Sequence, residues 1–139
     1  MSMYNIFDIS GSGMKAQSVR LTTTASNLSN ANVVSGTEEG VYRPKYPIFK
    51  AEMVNSAVGG FNKTPGVEVE GIFQSAQPPA KRYQPTHPLA NKDGYVFSPN
   101  VNIVEEMTNV MSASKAYRMN IEVMSTAKEL MARTLQLVQ

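Results

Sequence analysis

The 139-residue sequence contains no cysteine and one histidine. The missing thiols exclude disulfides, thiolate zinc sites and cysteine nucleophiles together. They also fit a chain that leaves the cytoplasm without oxidative folding. His87, between Pro85 and Pro88, has no cysteine or carboxylate pair near it in sequence. It cannot complete a metal site or a nucleophilic triad alone, so an exposed loop position is expected. No excess charge of one sign is present either: 13 basic against 11 acidic residues leave a net charge of +2. No basic stripe exists to hold nucleic acid. No apolar run approaches the roughly 20 residues that span a bilayer, which argues against membrane insertion. Met1 to Gly13 lacks the basic-then-apolar order of a Sec-type signal. Export, if it occurs, is expected by a route with no cleaved signal.

Proline is absent from both ends, since all eight prolines lie between Pro44 and Pro99. Outside that window long helices are permitted, and inside it they are interrupted. Three segments follow: an N-terminal assembly helix over 1–32, a loop and short-strand middle over 33–98, and a C-terminal coiled-coil helix over 99–139. The predicted fold is mainly α, with the long terminal helices packed as a coiled coil in an assembly around a small, irregular, β-containing middle.

The C-terminal segment carries the strongest periodicity. Asn102 stands where an N-cap belongs, with Glu105 three residues on. From there a 4-3 spacing runs through Ile103, Met107, Val110, Ser114, Tyr117, Ile121, Met124, Lys128, Met131, Leu135 and Val138. That repeat predicts a coiled-coil seam rather than the broader face of a globular helix. In the N-terminal segment Phe7, Met14, Leu21 and Leu28 recur every seven residues, with Gly11, Ser18 and Ala25 between them. The rest of that segment is polar and β-branched, a poor helix former by itself. Burying a large apolar side chain gains about 1.5–3 kcal/mol, whereas ordering one residue costs about 1–2 kcal/mol of backbone entropy. A solitary helix with its seam in water gets little of the first and all of the second, so both ends need partners.

In the middle, Val67 to Glu70 alternates as a half-exposed strand does, and Tyr46 to Met53 and Tyr95 to Phe97 are further strand candidates. Gly59-Gly60, Pro65-Gly66, Pro78-Pro79 and Asp93-Gly94 supply turns.

No constellation of catalytic, cofactor-binding or metal-binding residues emerges, and the chain is read as a structural protein, not an enzyme. Gly11-Ser12-Gly13-Met14-Lys15-Ala16 matches a dinucleotide-binding pattern, but no buried strand precedes it and no carboxylate follows at the required distance. Glycines that permit close helix packing are the better reading. Glu68 and Glu70 share a strand face, and Glu105 and Glu106 sit in a first helical turn. Solvation and the helix dipole account for them better than acid–base work does. The C-terminal methionines are read as helix packing rather than an adaptable groove.

Several stretches resemble one family. Leu28-Ser29-Asn30-Ala31-Asn32, then Tyr42-Arg43-Pro44-Lys45, is similar to the N-terminal signature of bacterial flagellar basal-body rod proteins. His87-Pro88-Leu89-Ala90-Asn91-Lys92-Asp93-Gly94-Tyr95-Val96, leading into Pro99 to Met107, resembles their proximal-rod members most. Ser112 to Tyr117, Asn120 to Val123 and Thr126 to Lys128 resemble the family's C-terminal helix. Val33 to Val41 departs from the pattern, standing where a Thr-Pro-Gly-Tyr-like turn is usual.

The resemblance implies a structural subunit of the proximal rod, the drive shaft that carries torque across the periplasm, polymerised through its terminal helices. It implies copies of the chain, other rod proteins, and ring and export-gate components at the rod base as partners. It also implies flagellar type III export without a cleaved signal. The expected assembly interface comprises Phe7, Met14, Leu21, Leu28, Asn30, Asn32, Ile103, Met107, Val110, Tyr117, Ile121, Met124, Met131, Leu135 and Val138. A rival from another class is a secreted coiled-coil adaptor acting as a soluble oligomer.

Overall fold

In the computed structural model, which describes residues 3–55 and 63–137, the two proline-free ends form helices. α1 spans Met3–Asn30 and α2 spans Ile103–Leu137. At about 1.5 Å per residue they run roughly 40 and 50 Å. Between them lie four strands: β1 (Lys45–Asn55), β2 (Lys63–Gln74), β3 (Ala80–Tyr83) and β4 (Tyr95–Ser98). The fold is mainly α with a small antiparallel middle.

α1 holds its helix in spite of its composition because its hydroxyls are satisfied locally. Thr22, Thr23 and Thr24 donate to the carbonyls of Ser18, Val19 and Arg20, and Ser12 donates to Ile9. This back-bonding lets Thr23 and Thr24 be buried without unsatisfied hydroxyls. Gly11 to Gly13 lie within the helix, so no phosphate-cradling loop exists there. Gly13 instead permits close approach, since a Cβ on it would stand 3.0 Å from Asn120 Nδ2. Gly11 meets nothing on that side.

α2 starts where the cap was expected. Asn102 Oδ1 accepts from the backbone N–H of Val104 at 3.1 Å and of Glu105 at 3.4 Å. α2 packs antiparallel along α1, and the β1–β2 hairpin lies against α1.

The hairpin pairs Lys45 with Gln74 at its base. Its register shifts between Ile48 and Phe49, leaving Glu70 as the extra residue of a bulge. Ser12 Oγ accepts from Val67 N–H at 3.2 Å, tying the hairpin to the helix. A lone two-stranded hairpin is marginal in water, so this support matters. Both strands are longer than their alternating cores suggested, and Pro65-Gly66, expected as a turn, lies within β2 opposite Met53 and Glu52. The Gly59-Gly60 turn lies outside the described residues.

β3 was not anticipated, because Ala80-Lys81-Arg82-Tyr83 shows no apolar alternation. It forms because β4 offers a ladder, from Ala80 opposite Ser98 to Tyr83 opposite Tyr95. Tyr83 and Tyr95 meet edge to face at 5.2 Å, and Lys81 Nζ sits 4.1 Å above the Tyr95 ring. Ser35 exchanges two backbone hydrogen bonds with Phe97, at 2.9 and 2.8 Å, on the other edge of β4. The Val33 to Val41 loop is thereby fixed. The connection between β3 and β4 turns on Asn91, whose Oδ1 accepts from Asp93 and Tyr95, and on Gly94, whose φ of 79° suits glycine. His87 is half-buried here and accepts from Leu89 N–H at 3.1 Å, a loop-shaping role.

Candidate assembly interface

The interior holds small residues and the exterior holds large ones. Among the described residues the buried hydrophobics are Ala16, Ala31, Val41, Val96, Ala113 and Ala127. The largest fully buried side chains are Val96 and Asn27. Meanwhile Ile48, Phe49, Met53, Ile72 and Phe73 of the hairpin are exposed, as are Met107, Met111, Met119, Ile121 and Leu135 of α2. The chain exposes 9810 Å², whereas a compact monomer of its 15.2 kDa mass would expose about 7,100 Å².

The expected interface residues divide between two environments. Val110, Tyr117, Met124 and Met131 are half-buried, and so are Phe7, Met14, Leu21 and Leu28. Ile103, Met107 (49% exposed), Ile121 (45%) and Leu135 (66%) face away from the single chain. Between the half-buried members of α2 the inward positions fall to Glu106, Ala113, Asn120 and Ala127, one residue ahead of Met107, Ser114, Ile121 and Lys128. The side of α2 that meets α1 is thus lined with small or polar residues, and half of the apolar repeat is left outside. Asn30 is half-buried with its Nδ2 donating to Ser26 O, and Asn32 is exposed. Val138 lies outside the described residues.

A polar node joins the helices to the hairpin, and sequence reasoning missed it. Asn27 is fully buried (0% exposed). Its Nδ2 donates to Lys45 O at 2.9 Å and to Glu106 Oε2 at 3.3 Å. Its Oδ1 accepts from Lys45 N–H at 2.9 Å and from the Tyr42 hydroxyl at 2.8 Å. Every hydrogen-bonding position of the amide is therefore filled. Ser26 Oγ lies 3.0 Å from the same tyrosine hydroxyl. Glu106, expected as a charge set against the helix dipole, does lie in the first turn of α2, and it is also buried at 2% exposed. Partial burial pushes the Tyr46 phenol upward, and the nearby carboxylates of Glu106 and Glu105 and a hydrogen bond to Glu106 add to the shift. The available signal was the conjunction of Asn27 with Tyr42 to Lys45, residues whose spacing has no meaning within one helix or strand.

The remaining titratable pairs are surface features. On the hairpin, hydrogen bonding to Glu68 and the charge of that carboxylate raise the Glu52 pKa. Glu68 and Glu70 are exposed. Among the described residues no group of three metal-ligating side chains converges, and no helix is long and apolar enough to cross a membrane.

A shallow apolar groove of about 350 Å³ lies where the start of α1 meets the later part of α2, lined by Ile6, Met119, Val123 and Leu130 among others. A second, more polar groove between Arg20, Tyr46, Phe49 and Asn109 separates the helices from β1.

Comparison with known proteins assigns these features to a family. The family described as "Flagella basal body rod protein" matches residues 7–36, and the one described as "Flagellar basal body rod FlgEFG protein C-terminal" matches residues 92–137. The chain is similar to the flagellar basal-body rod protein FlgC of Escherichia coli O157:H7, with 47% identity over all 139 residues of both chains. It is 47% identical to FlgC of Salmonella typhimurium and 44% identical to that of Yersinia enterocolitica, each again over the full length of both. The chain belongs to the flagellar basal-body rod protein family, within its FlgC group.

Proposed function

We propose that this protein is a structural subunit of the proximal rod of the bacterial flagellum. It polymerises through its terminal helices with copies of itself and with other rod proteins, forming the shaft that carries torque across the periplasm. The observation that carries this reading is the inversion of residue size. Small side chains fill the single chain, while large apolar ones and roughly 2,700 Å² of surplus surface stay outside. A surplus of that order matches what obligate interfaces bury. Ile103, Met107, Ile121 and Leu135 would close a coiled-coil seam against a neighbouring helix, while α1 occupies the other side of α2. Torque transmission needs rigidity rather than turnover, and rigidity comes from burying such side chains between subunits in a contact that repeats without closing into a small ring.

The same reading places ring and export-gate components beside the rod base as partners. It also has the chain leave the cell through the flagellar export channel, without a cleaved signal, before its ends order on assembly. Membership of the rod family does not favour the soluble adaptor.

Substituting Met14→Asp or Ile121→Asp tests the assignment. Each would set a charge against a neighbouring apolar surface, at a cost of several kcal/mol if unpaired. In a strain lacking the native gene, both variants should be expressed and soluble yet fail to restore motility, and isolated basal bodies should lack the rod. Normal rods in either strain would remove that residue from the interface.

A further inference from the structure

Four α1 residues spaced seven apart meet α2. Ile6 shares a groove with Ala127, and Gly13 abuts Asn120. Arg20 donates to Asn109 Oδ1 at 2.8 Å, and Asn27 donates to Glu106. The Gly13 and Asn27 contacts obey one antiparallel rule in which a step of seven forward along α1 is a step of seven back along α2, and that rule sets Ile6 opposite Ala127. The same rule puts Arg20 opposite Ala113, which is fully buried.

Such a repeat is degenerate, because sliding one helix by a heptad restores a seam of the same kind. Here a slide of seven residues would set Arg20 opposite Glu106, Gly13 opposite Ala113 and Ile6 opposite Asn120. The first is an ion pair and the second joins two small residues, so these layers do not exclude the shifted alignment. Asn27 does. Its contacts to Lys45 and Tyr42 belong to its own end of the chain and would survive the slide. Its second N–H would lose Glu106 and face the position of Pro99, leaving a fully buried donor without an acceptor.

We infer that the buried Asn27–Glu106 hydrogen bond is a register lock, selecting one antiparallel alignment of the terminal helices over heptad-shifted alternatives. A buried polar contact of this kind gives up stability for uniqueness. The lock concerns the pairing within one chain and stands independently of the partners proposed above. Its consequence for assembly is that every copy presents its outer apolar residues at the same height.

The chain contains no cysteine, so introduced pairs report without background. Two full-length variants, Gly13→Cys/Asn120→Cys for the observed alignment and Gly13→Cys/Ala113→Cys for the shifted one, are equilibrated in glutathione redox buffer. The equilibration is run at a protein concentration where the helical signal of the parent is fully developed, and intrachain closure is then read as the single-chain band of a non-reducing denaturing gel. The observed pair should close at least about tenfold more readily, as an effective-concentration ratio. Adding Asn27→Leu should lower that ratio to below about threefold while far-ultraviolet circular dichroism keeps its helical signal. Glu106→Gln, which preserves an acceptor for Asn27, should leave the ratio as in the parent.

Full preference retained in Asn27→Leu overturns the inference and assigns the register to the Ser35–Phe97 bridge. A ratio that collapses together with helicity also overturns it, since Asn27 would then be a general stabilising residue. So does absence of closure or of preference in the parent, or loss of preference in Glu106→Gln.

Discussion

At the residue scale the polar node around Asn27 organises more of the molecule than any apolar side chain. One amide reaches the end of α1, the start of β1 and the first turns of α2. Tyr46 reports on the node through its titration. Its pKa is raised by burial and by the carboxylates of Glu106 and Glu105, so the folded chain holds the phenolic proton to higher pH than the unfolded chain does. The linked stability is intact below the ordinary tyrosine value near 10 and falls as pH rises through the raised one. Spectrophotometric titration at alkaline pH should show a late phase, above the ordinary tyrosine value, from Tyr46. Tyr46→Phe should delete that late phase and make the alkaline loss of structure less steep. Identical titrations in parent and variant would place Tyr46 outside the node. The sequence reading reached Tyr42 to Lys45 only as a motif. Asn27 escaped notice because an asparagine in a polar helix looks solvated until its partners, 15 to 79 residues away, are seen.

At the element scale the cap and the heptads were legible, since both are local. Asn102 lies before the first apolar-periodic residue and accepts from the first-turn N–H groups. Asn102→Ala should weaken α2 by about 1 kcal/mol, visible as a trifluoroethanol titration of helicity shifted to higher alcohol. Asn102→Asp should titrate like the parent, and superposition of all three curves would deny the cap any role. The 4-3 repeat located α2 correctly but did not say which members α1 would cover. Val110, Tyr117, Met124 and Met131 turn inward, whereas Ile103, Met107, Ile121 and Leu135 turn out. A heptad is ambiguous here because an a/d stripe is one residue away from a stripe of alanine and asparagine. The smaller stripe lets two backbones come closer, as the Gly13–Asn120 contact illustrates. β3 was illegible for a different reason. Its four exposed residues carry no pattern of their own and take strand geometry from β4.

At the scale of the whole molecule, little apolar volume is enclosed for so much ordered backbone. The terminal helices rest on each other through alanine, glycine and amide side chains, which gain far less on burial than leucine or phenylalanine. Purified and dilute, the chain should therefore show circular dichroism well below the helicity of α1 and α2 together, with the deficit closing as concentration or assembly brings neighbours. Full helicity at high dilution, without association, would show that the single chain supplies all the burial it needs.

Composition and periodicity by themselves determined that the ends are helical, that the middle is β-containing, and that a long apolar repeat runs along the C-terminal helix. These follow from proline placement and side-chain spacing, which act over a few residues. Only the tertiary structure decided which half of the repeat is covered internally, how the Val33 to Val41 loop docks on β4, and that Asn27 and Glu106 meet in a buried contact. Those outcomes depend on backbones from distant parts of the chain approaching closely. Hydrogen-bond satisfaction in a dry interior decides among alignments that apolar pattern alone leaves equal.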